Sequence, residues 1–186
     1  MRRADWLKEN AGQAVAVSKD TGIFPATVLA AAVLESSGKV NGYYEPGQSL
    51  LAKNANNYFG IKAGPGWSGP VINLQTGEYL NGQYVTITGT FRKYSSPAAS
   101  FADYINFLKV NPRYKAAGVF SATSPHEQAQ ALQRAGYATD PQYANKLISL
   151  INEAAPYLKN IAPIVAGGAG FFLLLLGGYY LIKKLL

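Results

Sequence analysis

The chain contains no cysteine, which excludes a disulfide framework, a thiolate metal site and a cysteine nucleophile, and leaves the compartment open on redox grounds. Its one histidine, His126, excludes a multi-histidine metal cluster and is the only base a serine triad could use. Because His126 falls in the first turn of a capped helix, it reads as a surface residue. No metal and no cofactor are expected. Charged residues are sparse, 15% against 48% hydrophobic, so the 186 residues have a folding composition suited to one domain plus an extension. The net charge is +7, and setting aside Lys183 and Lys184 in the tail leaves about +5 on the domain. A basic surface of that size suits an acidic polymer or anionic lipid and equally serves solubility. No compact basic run selects nucleic acid, and none is expected as a partner.

The opening MRRADWLKENAGQ has the basic residues of an export signal but no apolar core, and reads as a helix of the mature protein. The other end differs. Residues 161–182 hold no charge, and 22 residues at about 1.5 Å each span the roughly 30 Å of membrane hydrocarbon. Tyr179 and Tyr180 mark an interface and the lysines beyond favour the cytoplasmic side. A single C-terminal transmembrane helix is therefore expected, giving a domain at residues 1–158 and an anchor at 159–186. The small-residue spacing from Ala166 to Gly170 would let two such helices approach, a route to a homo-oligomer.

Helical patterning covers residues 4–18, breaks at Thr21-Gly22, and resumes after Pro25 up to the stop at Ser36-Ser37-Gly38. A polar loop follows to about Asn57. The run VINLQTGEYLNGQYVTITGTFRKY then alternates as strands do, with Asn81-Gly82 as a hairpin turn. Helices return in AASFADYINFL, in EQAQALQRA behind the capping box Ser124-Pro125-His126-Glu127, and in QYANKLISLINEAAPYL after Asp140-Pro141. The fold class is α+β, a mainly helical body with a small β-hairpin lobe. No internal repeat interrupts it.

The stretch AAAVLESSGK places Glu35 at the end of an apolar helix, on the side of Val28 and Ala31 or Ala32. An acid there is either paired with Lys or Arg, or held protonated by apolar neighbours and the negative helix end, as a general acid requires. Glu78 lies just before the hairpin turn. It is a solvated strand residue or a second carboxylate facing Glu35 across a groove. Tyr137, in RAGYATDP, is core packing or a phenol at the groove floor. Tyr58, Phe59 and Trp67 flank glycines in a loop, where rings serve the core or stack on sugars.

The motifs NNYFGIKAGPGWSGPV, TGEYLNG, TFRKYSS, DYINFL, NPRY and AGYATDP occur together and in this order. On these motifs the chain resembles bacterial peptidoglycan β-N-acetylglucosaminidases of glycoside hydrolase family 73, especially the hydrolase domain of flagellar rod-assembly proteins, over residues 10–155. The resemblance implies a lysozyme-like α+β fold cutting the β-1,4 bond after N-acetylglucosamine. It implies Glu35 as general acid, Glu78 as the hairpin-lobe glutamate and Tyr137 near the reaction centre. Asn57, Tyr58, Phe59, Trp67 and Tyr79, within the same motifs, are the expected substrate contacts. The nucleophile is then the substrate's own N-acetyl group or a water activated by Glu78.

Two departures stand out. The family's ESGWG is ESSGK here, removing a tryptophan beside Glu35, and the SxxE pattern after the FRxYSS-type motif is replaced by Ser96-Pro97-Ala98-Ala99-Ser100, which opens a helix. The expected function is a membrane-anchored peptidoglycan hydrolase in a bacterial envelope or a phage virion membrane. A phage or mobile element is favoured by the lack of a cleavable signal. The alternative is a wall-binding or assembly module with weak activity.

Overall fold

The computed structural model describes residues 2–80, 83–159 and 161, with the backbone alone for Glu78, Tyr79, Leu80 and Tyr84. Two long helices open the chain, α1 (Arg3–Ser18) and α2 (Pro25–Ser36). Pro25 stands at the first position of α2, where its missing N–H costs nothing. From Ala26 to Val33 every residue of α2 is buried. A helix covered on all sides needs short side chains, and Ala30, Ala31 and Ala32 let its neighbours approach closely. The helix ends where Ser36 Oγ and Ser37 Oγ turn back onto the carbonyls of Ala32 and Val33, at 2.5 and 2.6 Å.

The span expected as a loop up to Asn57 is more ordered than its composition implies. It forms a small antiparallel hairpin, β1 (Gly38–Val40) with β2 (Tyr43–Glu45), and a short helix α3 (Leu50–Ala55). Asn41 and Gly42 both take positive φ, the geometry of a two-residue hairpin turn, and Ser49 caps α3 by accepting from Ala52 N. Gly38 is pressed against Gln48, where a Cβ would come within 2.3 Å of the carbonyl oxygen. Only glycine fits there.

The larger hairpin pairs β3 (Val71–Leu80) with β4 (Gln83–Arg92) from Val71 opposite Arg92 to Leu80 opposite Gln83. The Asn81-Gly82 turn lies outside the described residues. Then follow α4 (Pro97–Val110), α5 (Pro112–Ala116), α6 (Pro125–Arg134) and α7 (Tyr143–Lys159). Ser96 and Ser124 cap α4 and α6 through the N–H of Ala99 and Glu127. Helices α1, α6 and α7 all pack against α2, which makes α2 the axis of the core. Among the described residues no helix is long and apolar enough to cross a membrane. The transmembrane helix expected at 161–182 lies, apart from Ile161, outside the described residues, as does the Ala166 to Gly170 contact.

Polar ties fix the hairpin lobe to the helical body. Asp103 on α4 accepts from Arg92 Nη1 at 2.8 Å and Tyr94 Oη at 2.7 Å. Asn56 Nδ2 donates to the Tyr94 carbonyl and Tyr94 N to the Ala55 carbonyl. The Arg92–Asp103 pair is largely withdrawn from solvent, 13% and 15% exposed, so losing one partner strands the other charge. Asp103→Ala is therefore expected to destabilise the fold by about 2–4 kcal/mol in urea unfolding. Asp103→Asn, which keeps an acceptor, should cost less than half as much.

Candidate active site

At the C-terminal end of α2 the burial breaks. Leu34 and Glu35 are the two residues of its last turns that open outward, and Glu35 opens into a groove of about 670 Å³. One wall is the loop Phe59, Gly60 and Ile61. The facing wall includes Thr76 and Gly77 of β3, and the floor carries Tyr137. The hairpin lobe does fold over the helical body at this groove.

Glu35 has no cationic partner among the described residues. Burial pushes its carboxyl up from 4.5 to about 7, and only the Tyr143 hydroxyl acts in the opposite direction. Tyr143 Oη turns toward the carboxyl without completing a well-formed hydrogen bond. Gly60 leaves the other side open, since a Cβ there would sit 3.5 Å from Glu35 Oε2. The arrangement holds a proton near neutrality and leaves room for an oxygen that could receive it. Of the two readings open for Glu35, the paired glutamate is set aside by the missing cation.

The floor is a tyrosine cluster. The Tyr137 ring stacks on Tyr143 at 5.5 Å and meets Tyr104 edge-on at 5.9 Å. Tyr137 Oη donates to the Phe59 carbonyl at 2.9 Å, tying the floor to the loop wall and leaving its oxygen free to accept. Burial, followed by the charges of neighbouring groups, raises all three phenols well above their ordinary range. They stay neutral beside Glu35.

The expected substrate contacts divide. Phe59 lines the groove but is 1% exposed and stacked on Tyr104 at 4.1 Å, so it shapes the wall from behind. Asn57 is fully buried. Its amide donates to the Ile61 and Arg92 carbonyls and accepts from Phe59 N and Ile61 N, which consumes its polar capacity in shaping the loop. Tyr58 faces Trp6 and Phe101, away from the groove. Trp67 does not reach the groove wall either. Its indole donates to the Pro70 carbonyl and its ring lies 4.6 Å beneath the Arg92 guanidinium. Glu78 and Tyr79 follow groove-lining Gly77 along β3, opposite Val85 and Tyr84; their side chains are outside the description. His126 is bonded to Asn152 in an exposed setting, away from the groove.

Sequence reading missed Tyr143, Tyr104 and Gly60. Tyr143 stands six residues after Tyr137, in the first turn of the helix that leaves the YATDP loop, a spacing that points back at the same floor. Tyr104 and Gly60 carry no signal that separates them from ordinary core and turn residues.

A carboxyl that keeps its proton up to about pH 7, in a groove between a helical body and a β-hairpin, defines a lysozyme-like glycoside hydrolase. The glucosaminidase family model, described as mannosyl-glycoprotein endo-beta-N-acetylglucosaminidase, matches residues 11–155, and the chain belongs to that family. Peptidoglycan hydrolase FlgJ of Escherichia coli (strain K12) is 42% identical over 137 residues, 73% of this chain and 42% of its own length. A peptidoglycan hydrolase mutant from Sphingomonas sp. A1 has a solved structure with TM-score 0.67 and 34% identity, covering 84% of this chain and 99% of that one. The glycoside hydrolase domain of Salmonella typhimurium FlgJ gives TM-score 0.60 and 33% identity over 89% of this chain and 96% of that domain. The chain thus spans under half the length of the curated FlgJ relative.

Two outcomes follow from the geometry. Gly60 has φ +63°, so Gly60→Ala adds backbone strain and places a methyl against the acid. A loss of about 1–2 kcal/mol in stability is expected, with a fall in kcat/KM larger than the fall in folded fraction. For Glu35, the unfolded state ionises near 4.5 and the native state near 7, so its contribution to stability is lost as pH rises from one to the other. Glu35→Gln should therefore gain about 1–3 kcal/mol relative to wild type between pH 4 and pH 8, read as a widening difference in thermal midpoint.

Proposed function

We propose that the chain is a membrane-anchored peptidoglycan hydrolase that cleaves the β-1,4 bond after N-acetylglucosamine, with Glu35 as general acid. The observation that carries this reading is the buried carboxyl without a cation, half protonated near pH 7 and open to the groove. Its proton passes to the bridging oxygen as the bond from that oxygen to the sugar's C1 breaks. Positive charge develops at C1, and the departing sugar leaves as a neutral alcohol. The N-acetyl oxygen of the same sugar, or a water deprotonated by Glu78, then adds at C1. In the first case a water then opens the cyclic intermediate at C1 and its proton returns to the Glu35 carboxylate; in the second the sugar product is already complete, and Glu78 gives its proton to solvent while Glu35 takes one from it. In this reading Tyr137, whose oxygen accepts no hydrogen bond among the described residues, steadies the reacting sugar, and its place in the groove lining supports that role.

Support for the substrate comes from the relatives, two of which bear the name peptidoglycan hydrolase. Support for the anchor is the uncharged run at 161–182, which follows α7 almost without a linker. An anchor there would hold the groove within reach of the wall at a cell or virion membrane.

Purified peptidoglycan should release reducing ends with a kcat/KM that declines above about pH 7, because the acid must carry its proton. Glu35→Gln is expected to lose about a thousandfold in that rate. Mass spectrometry of the digest should find N-acetylglucosamine at the new reducing ends. Equal release by both proteins would rule out the assigned acid, and N-acetylmuramic acid at the ends would overturn the bond assignment.

A further inference from the structure

Arg92 lies near Phe107, which lines the groove, and Arg113 lines the groove too, and the two arginines are held differently. Arg92 lies over the rings of Trp67 and Phe107 and is ion-paired with Asp103. Its charge is spent inside the fold. Arg113, in the NPRY motif at the start of α5, lines the groove itself. Its guanidinium sits 4.8 Å from the Tyr114 ring centroid and donates through Nη2 to Tyr114 Oη at 2.7 Å. Tyr114 is fully buried, so this clamp fixes the arginine to a rigid base.

The clamp is uncharged. Among the described residues no carboxylate pairs with Arg113. Asp140, the acid besides Glu35 that lines this groove, accepts from Lys146 Nζ and Gln142 N. Burial raises Glu35 to about 7, and Arg113 is not among the groups that shift it. Among the described residues one of the five guanidinium N–H groups is used, leaving a fork suited to a carboxylate.

We propose that Arg113 is a substrate-binding contact that takes a carboxylate carried by the glycan, either the lactyl acid of a muramic sugar or an acid of its stem peptide. The proposal rests on the glycan reading above for the polymer concerned. A preformed cation needs little reorganisation to bind the anion. Arg113 thereby makes the groove prefer acidic wall glycan over a neutral polymer of the same sugars.

The test uses the full chain in detergent and three polymers. These are intact wall sacculi, strands stripped of stem peptides by an amidase, and stripped strands whose lactyl carboxyls are capped as methyl amides. Arg113→Gln should lose about tenfold in kcat/KM on sacculi, through KM, with kcat nearly unchanged and Arg113→Lys recovering part of the loss. On the capped strands it should equal wild type. A loss that persists on stripped strands assigns the lactyl acid, and one that vanishes there assigns the stem peptide. The same comparison by equilibrium binding in a Glu35→Gln background needs no turnover, so failure of catalysis and failure of this contact are read separately. Thermal melts check that each variant is folded. Equal behaviour of Arg113→Gln and wild type on sacculi, or an undiminished loss on capped strands, would overturn the proposal.

Discussion

One carboxyl, at the end of a helix buried from Ala26 to Val33 and given no cation among the described residues, is the constraint on which the site depends. Ionising Glu35 would place a charge among apolar and aromatic groups with only a phenol nearby to receive it. The proton is the cheaper solution. Its cost to the fold is kept small because the carboxyl faces the groove, where one side is left clear by Gly60. A salt bridge here would have strengthened the helix terminus and silenced the acid.

The surrounding structure keeps Arg92 occupied elsewhere and the floor neutral. Arg92, close enough to reach Phe107, is bound to Asp103 and capped by Trp67. The three phenols beneath Glu35 are raised by burial, so they offer hydroxyl dipoles and no charge. The same groups also hold the groove together. Tyr137 bonds to the Phe59 carbonyl, Asn57 folds the loop that follows, and Ala63 N and Arg92 N pair that loop with β4. Shape and electrostatics are thus set by one network.

The helices were legible where their boundaries carry chemistry. Pro25, Pro97 and Pro125 start helices, Ser96 and Ser124 cap them, and the alternation through VINLQTGEYL marks β3. The 38–57 span was read as loop because its strands are three residues long and α3 only six, too short to show a period. Glu35 could be picked out because an acid at the end of an alanine-rich helix breaks its pattern. Asn57, Tyr58 and Trp67 were harder. A polar or aromatic residue in a glycine-rich loop reads as available to ligand, and nothing local shows that Asn57 is consumed by four backbone groups. Tyr143 was hidden for the opposite reason, since a tyrosine on an amphipathic helix reads as core.

Direct titration of Glu35 bears most closely on this account. With carboxyl-labelled glutamate, the carbon resonance absent from the Glu35→Gln spectrum should titrate with a midpoint near pH 7. A midpoint near 4.5, the ordinary value for an exposed glutamate, would contradict it.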